Sequence, residues 1–160
     1  MKAFVPFCAI AISSLLIYFY LNKTERFTRL KKITLTIFII AFILTELGRS
    51  FYRPYIYAHN INDYFISDTI GNSFGTVATI FFILTVVGKG NSKDIILISF
   101  IILGLVLYEG INLVSNYPFD IKDIVTTVLF GLLSIYIYRR LLIPEMKENI
   151  NNILKNKFYE

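Results

Sequence analysis

Ionisable and amide side chains interrupt an otherwise apolar chain at a few positions. Glu109 and Asn112 close one apolar run, and Asp120, Asp123 and Thr127 open the next. Glu109 and Asn112 are spaced to share a helix face, as are Asp123 and Thr127. A charged side chain facing hydrocarbon costs about 2.5–3.5 kcal/mol even on lenient insertion scales, so Glu109 must face a partner, a ligand or a wet cavity. Such groups can bind a polar ligand, or a lone carboxyl with a raised pKa can act as an acid or base. Structural duties compete for the same residues. Asp120 and Asp123 suit a helix N-terminus, and Glu46 or Glu109 can hold helices together by pairing with Arg49 or Arg53.

An earlier stretch has the same order. Leu44-Thr45-Glu46 parallels Leu107-Tyr108-Glu109, and Asp68-x-x-x-Asn72-x-x-Gly75 parallels Asp123-x-x-x-Thr127-x-x-x-Gly131. An aspartate precedes each pair, Asp63 and Asp120, while Arg49 and Arg53 occur only in the first copy. This pattern predicts a parallel two-helix repeat, of the kind that builds a polar site at its interface.

The elements that position these residues follow from composition. Of 160 residues, 56% are hydrophobic, more than a water-soluble domain of this length can hide inside itself. The expected fold is all-α, a polytopic membrane bundle of about five spans: Ala3–Leu21, Ile33 to about Arg49, Asp68–Val87, Ile95–Val114, and Asp123 to Tyr138 or Ile143. The first is expected to be a retained helix, since no small-residue cleavage site follows it. Residues 1–143 form this membrane domain, and 144–160 a cytoplasmic tail whose Met146, Ile150, Ile153, Leu154 and Phe158 recur at helical spacing. A frayed polar tail is the alternative there.

The loops set the orientation. Lys23, Arg26, Arg29, Lys31 and Lys32, then Lys89 and Lys93, then Arg139 and Arg140 all fall on one side of the five-span arrangement. Basic loops stay cytoplasmic, which places the N-terminus outside, the C-terminus inside, and Glu46, Glu109, Asp68 and Asp123 near the outer face. The aromatic-rich connection Gly48–Ser67 is expected to lie partly on the membrane, with Pro54 marking the start or the break of a short helix. Gly71 and Gly75 are read as helix-packing positions.

Several classes of chemistry are set aside. The net charge of +5 comes from short clusters between apolar runs, which points to membrane topology and not to nucleic acid. His59 stands alone without a second histidine or a thiol at ligand spacing, so no metal site is expected, and no nucleotide or cofactor motif occurs. Cys8 is the only cysteine and is read as a packing residue.

The order Glu109 to Asn112, Asp120, then Asp123, Thr127 and Gly131 resembles the VanZ-like membrane proteins, a family named for a protein linked to teicoplanin resistance. The resemblance is strongest over residues 100–138. Asn112 stands where glutamine is usual, and Thr127 where asparagine is usual. It implies a non-enzymatic protein of the bacterial cell envelope in contact with membrane lipid, affecting sensitivity to glycopeptides through an outward polar pocket. The pocket residues are Glu46, Arg49, Arg53, Asp68, Asn72, Glu109, Asn112, Asp120, Asp123 and Thr127, and the ligand a lipid-linked wall intermediate or the antibiotic. A small membrane enzyme or transporter using Glu109 and Asp123 to handle protons is the alternative.

Overall fold

The computed structural model describes residues 5–23, 28–111 and 120–157, with side chains described up to residue 142. All regular structure among these residues is helical: α1 (Val5–Lys23), α2 (Arg29–Leu47), a π-helical turn (Gly48–Tyr52), α3 (Arg53–Ala58), α4 (Ile66–Val86), α5 (Lys93–Ile111) and α6 (Ile121–Lys157). Among the described residues, four helices are long and apolar enough to cross a membrane: α1, α4, α5 and the Ile121–Leu142 part of α6. The expected second span differs. Its helix, α2, carries Arg29, Lys31 and Lys32 in its first turn and Glu46 in its last, which leaves a shorter apolar interior.

α4 lies at the centre. Its buried Val77, Ala78, Ile80, Phe81 and Leu84 join Leu35, Phe38 and Ala41 of α2, Ile98 of α5 and Tyr138 of α6 in one core. By contrast, α5 buries only Asp94 and Ile98, and α1 only Ile10 and Leu21. Helices apolar all round yet uncovered by protein are what a hydrocarbon surrounding accommodates.

Two glycines fix the close crossings. A Cβ on Gly48 would lie 2.4 Å from Ile70 Cδ1, and one on Gly131 would lie 2.6 Å from Ile102 Cγ1. These contacts press α2 against α4 and α6 against α5. The end of α2 thus meets the start of α4, while Phe74 and Phe130 stack edge to face at 5.7 Å between α4 and α6. The helix-packing expectation therefore transfers to Gly48 and Gly131, since a Cβ on Gly75 would make only ordinary contact with Thr45.

The connection expected from Gly48 to Ser67 is mostly helical. Helical geometry continues from α2 through the π turn into α3, where the Arg53 N–H reaches the Gly48 carbonyl. Pro54 has no N–H and its ring crowds the preceding turn, and a π turn just before it accommodates both effects. The true connector is short, residues 59–65. Asn60, Tyr64 and Phe65 there take left-handed φ of 51°, 55° and 69°, rare for aromatic residues and costing about 1–3 kcal/mol each where the surroundings hold them.

At the C-terminus, α6 runs without interruption through Pro144 to Lys157, so the division expected at residue 144 does not coincide with a helix end. Cys8 is exposed on α1 and is not a packing residue.

Candidate polar site

The polar residues gather where α2 and α5 end and α4 and α6 begin. Arg49, Arg53, Asp68, Gly71, Asn72, Tyr108, Glu109 and Asp123 line a cavity of about 320 Å³ there. Each helix delivers its share because its polar residues sit within a turn or two of its end. Arg49 rises from the π turn, Arg53 opens α3, Asp68 and Asn72 lie in the opening turns of α4, Glu109 in the last turn of α5, and Asp123 in the first turn of α6.

Arg53 and Asp68 form one side. An Arg53 guanidinium nitrogen stands 3.8 Å from the Asp68 carboxylate, Arg53 Nε donates to the Tyr57 hydroxyl at 3.2 Å, and that hydroxyl donates to Asp68. On the α6 side, Asn72, Asp120, Arg53 and Asp68 are all near enough to the Asp123 carboxylate to act on its charge. Arg49 lies against α4, and a Cβ on Gly71 would sit 3.2 Å from its Nε. Gly71 thus makes room for a side chain of the site.

The remaining expected site residues stand elsewhere. Asp120 caps α6, accepting the Lys122 N–H at 2.9 Å, with Lys122 Nζ 3.6 Å from its carboxylate. Thr127 is buried below Asp123, and Glu46 is half-buried on α2; neither lines the cavity. Asn112 lies outside the described residues. His59 is exposed at the end of α3, its Nδ1 2.9 Å from the Tyr55 carbonyl and its ring stacked on Tyr55.

Asp63 caps α4 much as Asp120 caps α6, accepting the Ser67 N–H at 2.6 Å. Partial desolvation raises its carboxyl, but the Ser67 backbone N–H, the Ser67 hydroxyl and the Tyr52 hydroxyl outweigh this and hold it below the ordinary carboxylate value. The Tyr52 hydroxyl is correspondingly pushed up, by desolvation first and then by the charge and hydrogen bond of Asp63. A second cavity of about 350 Å³ lies beneath the connector and shares Asp68 with the first.

The opposite end holds polar residues that sequence reasoning missed. Asp94 is 4% exposed. Its carboxylate accepts the backbone N–H groups of Lys89 at 3.0 Å, Gly90 at 2.7 Å and Asn91 at 3.3 Å, and the Tyr138 hydroxyl at 2.5 Å. Lys31, read as an inner-face charge, is buried, and its Nζ donates to the carbonyls of Leu84 at 2.8 Å and Thr85 at 2.7 Å. A cation on the last carbonyls of a helix satisfies orphan acceptors and complements the dipole. The available signal for Asp94 was its place just after a Gly-Asn-Ser turn at a helix start; Lys31 gave none, because its partners are 53 and 54 residues away.

Among the described residues, no group of three His, Cys, Asp or Glu side chains is arranged to hold a metal ion. The cavity's chemistry is instead that of fixed guanidinium and carboxylate charges, with an amide and a phenol between them. Comparison with protein-family models, with curated proteins and with solved structures returned no match.

Proposed function

We propose that this is a multi-pass membrane protein of the cell envelope whose polar cavity opens outward and binds a lipid-linked wall intermediate or a glycopeptide. In doing so it would alter sensitivity to teicoplanin-type antibiotics, as the VanZ-like resemblance implies. The observation that carries this reading is the convergence of Arg49, Arg53, Asp68, Asn72, Glu109 and Asp123 on one cavity. A polar recess of this kind is where intramembrane charges are tolerated, and there they commonly meet a substrate.

Orientation follows from charge. Lys31, Lys32, Lys89 and Lys93 lie at the end opposite the cavity, and the Tyr138–Asp94 bond puts the neighbouring Arg139 and Arg140 there too. In this reading α2 is the fifth span, its basic first turn at the cytoplasmic surface, and α2–α4 and α5–α6 are the two repeated hairpins. The test compares susceptibility to teicoplanin-type and unrelated envelope antibiotics in cells with the gene, without it, and with Asp123→Asn. Selective loss of protection in the last two supports the reading; no difference among the three contradicts it.

A membrane enzyme or transporter is the second reading, favoured by Glu109 and Asp123 lining the same cavity. Glu109→Gln separates the two, since an amide keeps a hydrogen-bonding role and ends proton transfer.

A further inference from the structure

Resting on the reading of the first cavity as a ligand site, we infer that the second cavity, beneath the connector, is a subsite for an uncharged sugar ring of the same ligand. The two cavities adjoin. Asp68 lines both, and its partners stand one on each side: Arg53 on the wall of the first cavity, Tyr57 on the wall of the second. A ligand whose charged part occupies the first cavity therefore brings its next group to the second, a recess of about 350 Å³.

A sugar ring has apolar C–H faces and a rim of hydroxyls, each able to donate and to accept. The second cavity presents surfaces of the same two kinds. Ile56, Tyr57, Ile61 and Phe65 supply apolar and aromatic wall, while Asn60 and Asn62 supply side-chain amides, which both donate and accept. Small-molecule sites commonly combine such a lining with a few placed polar groups. Asn62 gives its oxygen to the Tyr64 N–H at 3.2 Å, which holds the side chain and leaves its amide hydrogens for a hydroxyl.

The carboxylates of this cavity already have donors. Asp63 accepts the Ser67 N–H at 2.6 Å, and Asp68 accepts the Tyr57 hydroxyl and stands 3.8 Å from an Arg53 nitrogen. A cationic ligand would have to compete with these partners, and an anionic one would meet both carboxylates. An uncharged ligand does neither. The backbone adds a separate observation, since Asn60 and Phe65 line the cavity with left-handed φ of 51° and 69°. Glycine takes that conformation freely, so an amide and a ring are kept there against the local preference, and such outliers gather at ligand clamps.

The experiment uses the purified full chain in lipid nanodiscs at slightly acid pH, with N-acetylglucosamine, glucosamine and glucuronate as neutral, cationic and anionic probes. Titrations followed by saturation-transfer NMR read the binding of each. N-acetylglucosamine is expected to bind more tightly than either charged probe, and Asn60→Gly and Phe65→Gly each to weaken it by about three- to tenfold. Asn60→Gly should melt at the same temperature or higher, because glycine suits that backbone. If Phe65→Gly fails to fold, its ring also carrying Lys122 Nζ at 3.5 Å, Asn60→Gly decides alone. Absence of N-acetylglucosamine binding, equal or tighter binding of a charged probe, or binding unaltered in the variants overturns the inference. Loss of antibiotic protection in Asp123→Asn without any sugar binding leaves the first cavity as a ligand site and ends the subsite. Sugar binding that Asn60→Gly weakens, with susceptibility indifferent to Asp123→Asn, supports the sugar site and ends the reading of the first cavity.

Discussion

Asn72, near the start of α4, and Asp123, near the start of α6, line the same cavity, close enough for the amide to act on the carboxylate's charge. The two helices whose N-terminal ends line the cavity thus meet at its wall. The amide dipole favours a carboxylate that is partly withdrawn from water, so removing it is unfavourable. Asn72→Ala is expected to lower stability by about 0.5–1.5 kcal/mol, and Asn72→Ala combined with Asp123→Asn to lower it less than the single change. Thermal unfolding of the two variants checks this; additive losses would show that the pair is not coupled.

The buried end makes a larger stability demand. Asp94 takes several backbone N–H groups and the Tyr138 hydroxyl, so Asp94→Ala orphans all of these donors at once. It is expected to cost about 3 kcal/mol or more, and Tyr138→Phe about 1–2 kcal/mol. Denaturation in detergent measures both. Equal effects for the two would mean that the backbone nest contributes little.

Much of the polar site was legible in the sequence because charge in an apolar chain is costly. Glu109, Asp123, Asp68 and Asn72 stood out, and the helix periodicity that placed them at helix ends also brought them to one cavity. Capping was expected of both Asp120 and Asp123, and only the structure separates them, Asp120 accepting the Lys122 N–H and Asp123 lining the cavity. The continuation of helix through Gly48–Ala58 was not legible. Pro54 and the surrounding aromatics are local signals for a break, and they are overridden by a π turn. Lys31 was equally hidden, because a basic residue at a helix start gives the same local signal whether it faces solvent or another helix's last carbonyls.

Acid should loosen the connector through Asp63. Its folded-state carboxyl lies below the ordinary value because donors from Ser67 and Tyr52 outweigh desolvation. Its contribution is therefore complete above the unfolded carboxylate pKa of about 3.9 and is lost as pH falls through the lower folded value. Melting temperatures of the unaltered chain and Asp63→Asn should differ at pH 6 and converge as pH falls below the unfolded carboxylate value. A constant gap would contradict the assignment.

Gly71 is expected to matter for Arg49 more than for stability. A methyl there must displace Arg49 Nε slightly from 3.2 Å, while alanine is favoured over glycine in a helix by about 0.5–1 kcal/mol. Gly71→Ala should leave melting unchanged or slightly higher. Gly71→Leu should occupy the guanidinium's place, and both it and Arg49→Gln are expected to remove the protection read by antibiotic susceptibility. Normal antibiotic susceptibility with Gly71→Leu would show that Arg49 does not need that position.

Whether the cavity faces outward is open to direct measurement. In a Cys8→Ser background, Tyr108→Cys puts a thiol at the cavity and Lys93→Cys one at the opposite end, both exposed. A membrane-impermeant thiol reagent applied to intact cells should label Tyr108→Cys at once and Lys93→Cys only after permeabilisation. Labelling of Lys93→Cys in intact cells, with Tyr108→Cys protected until permeabilisation, would contradict the account.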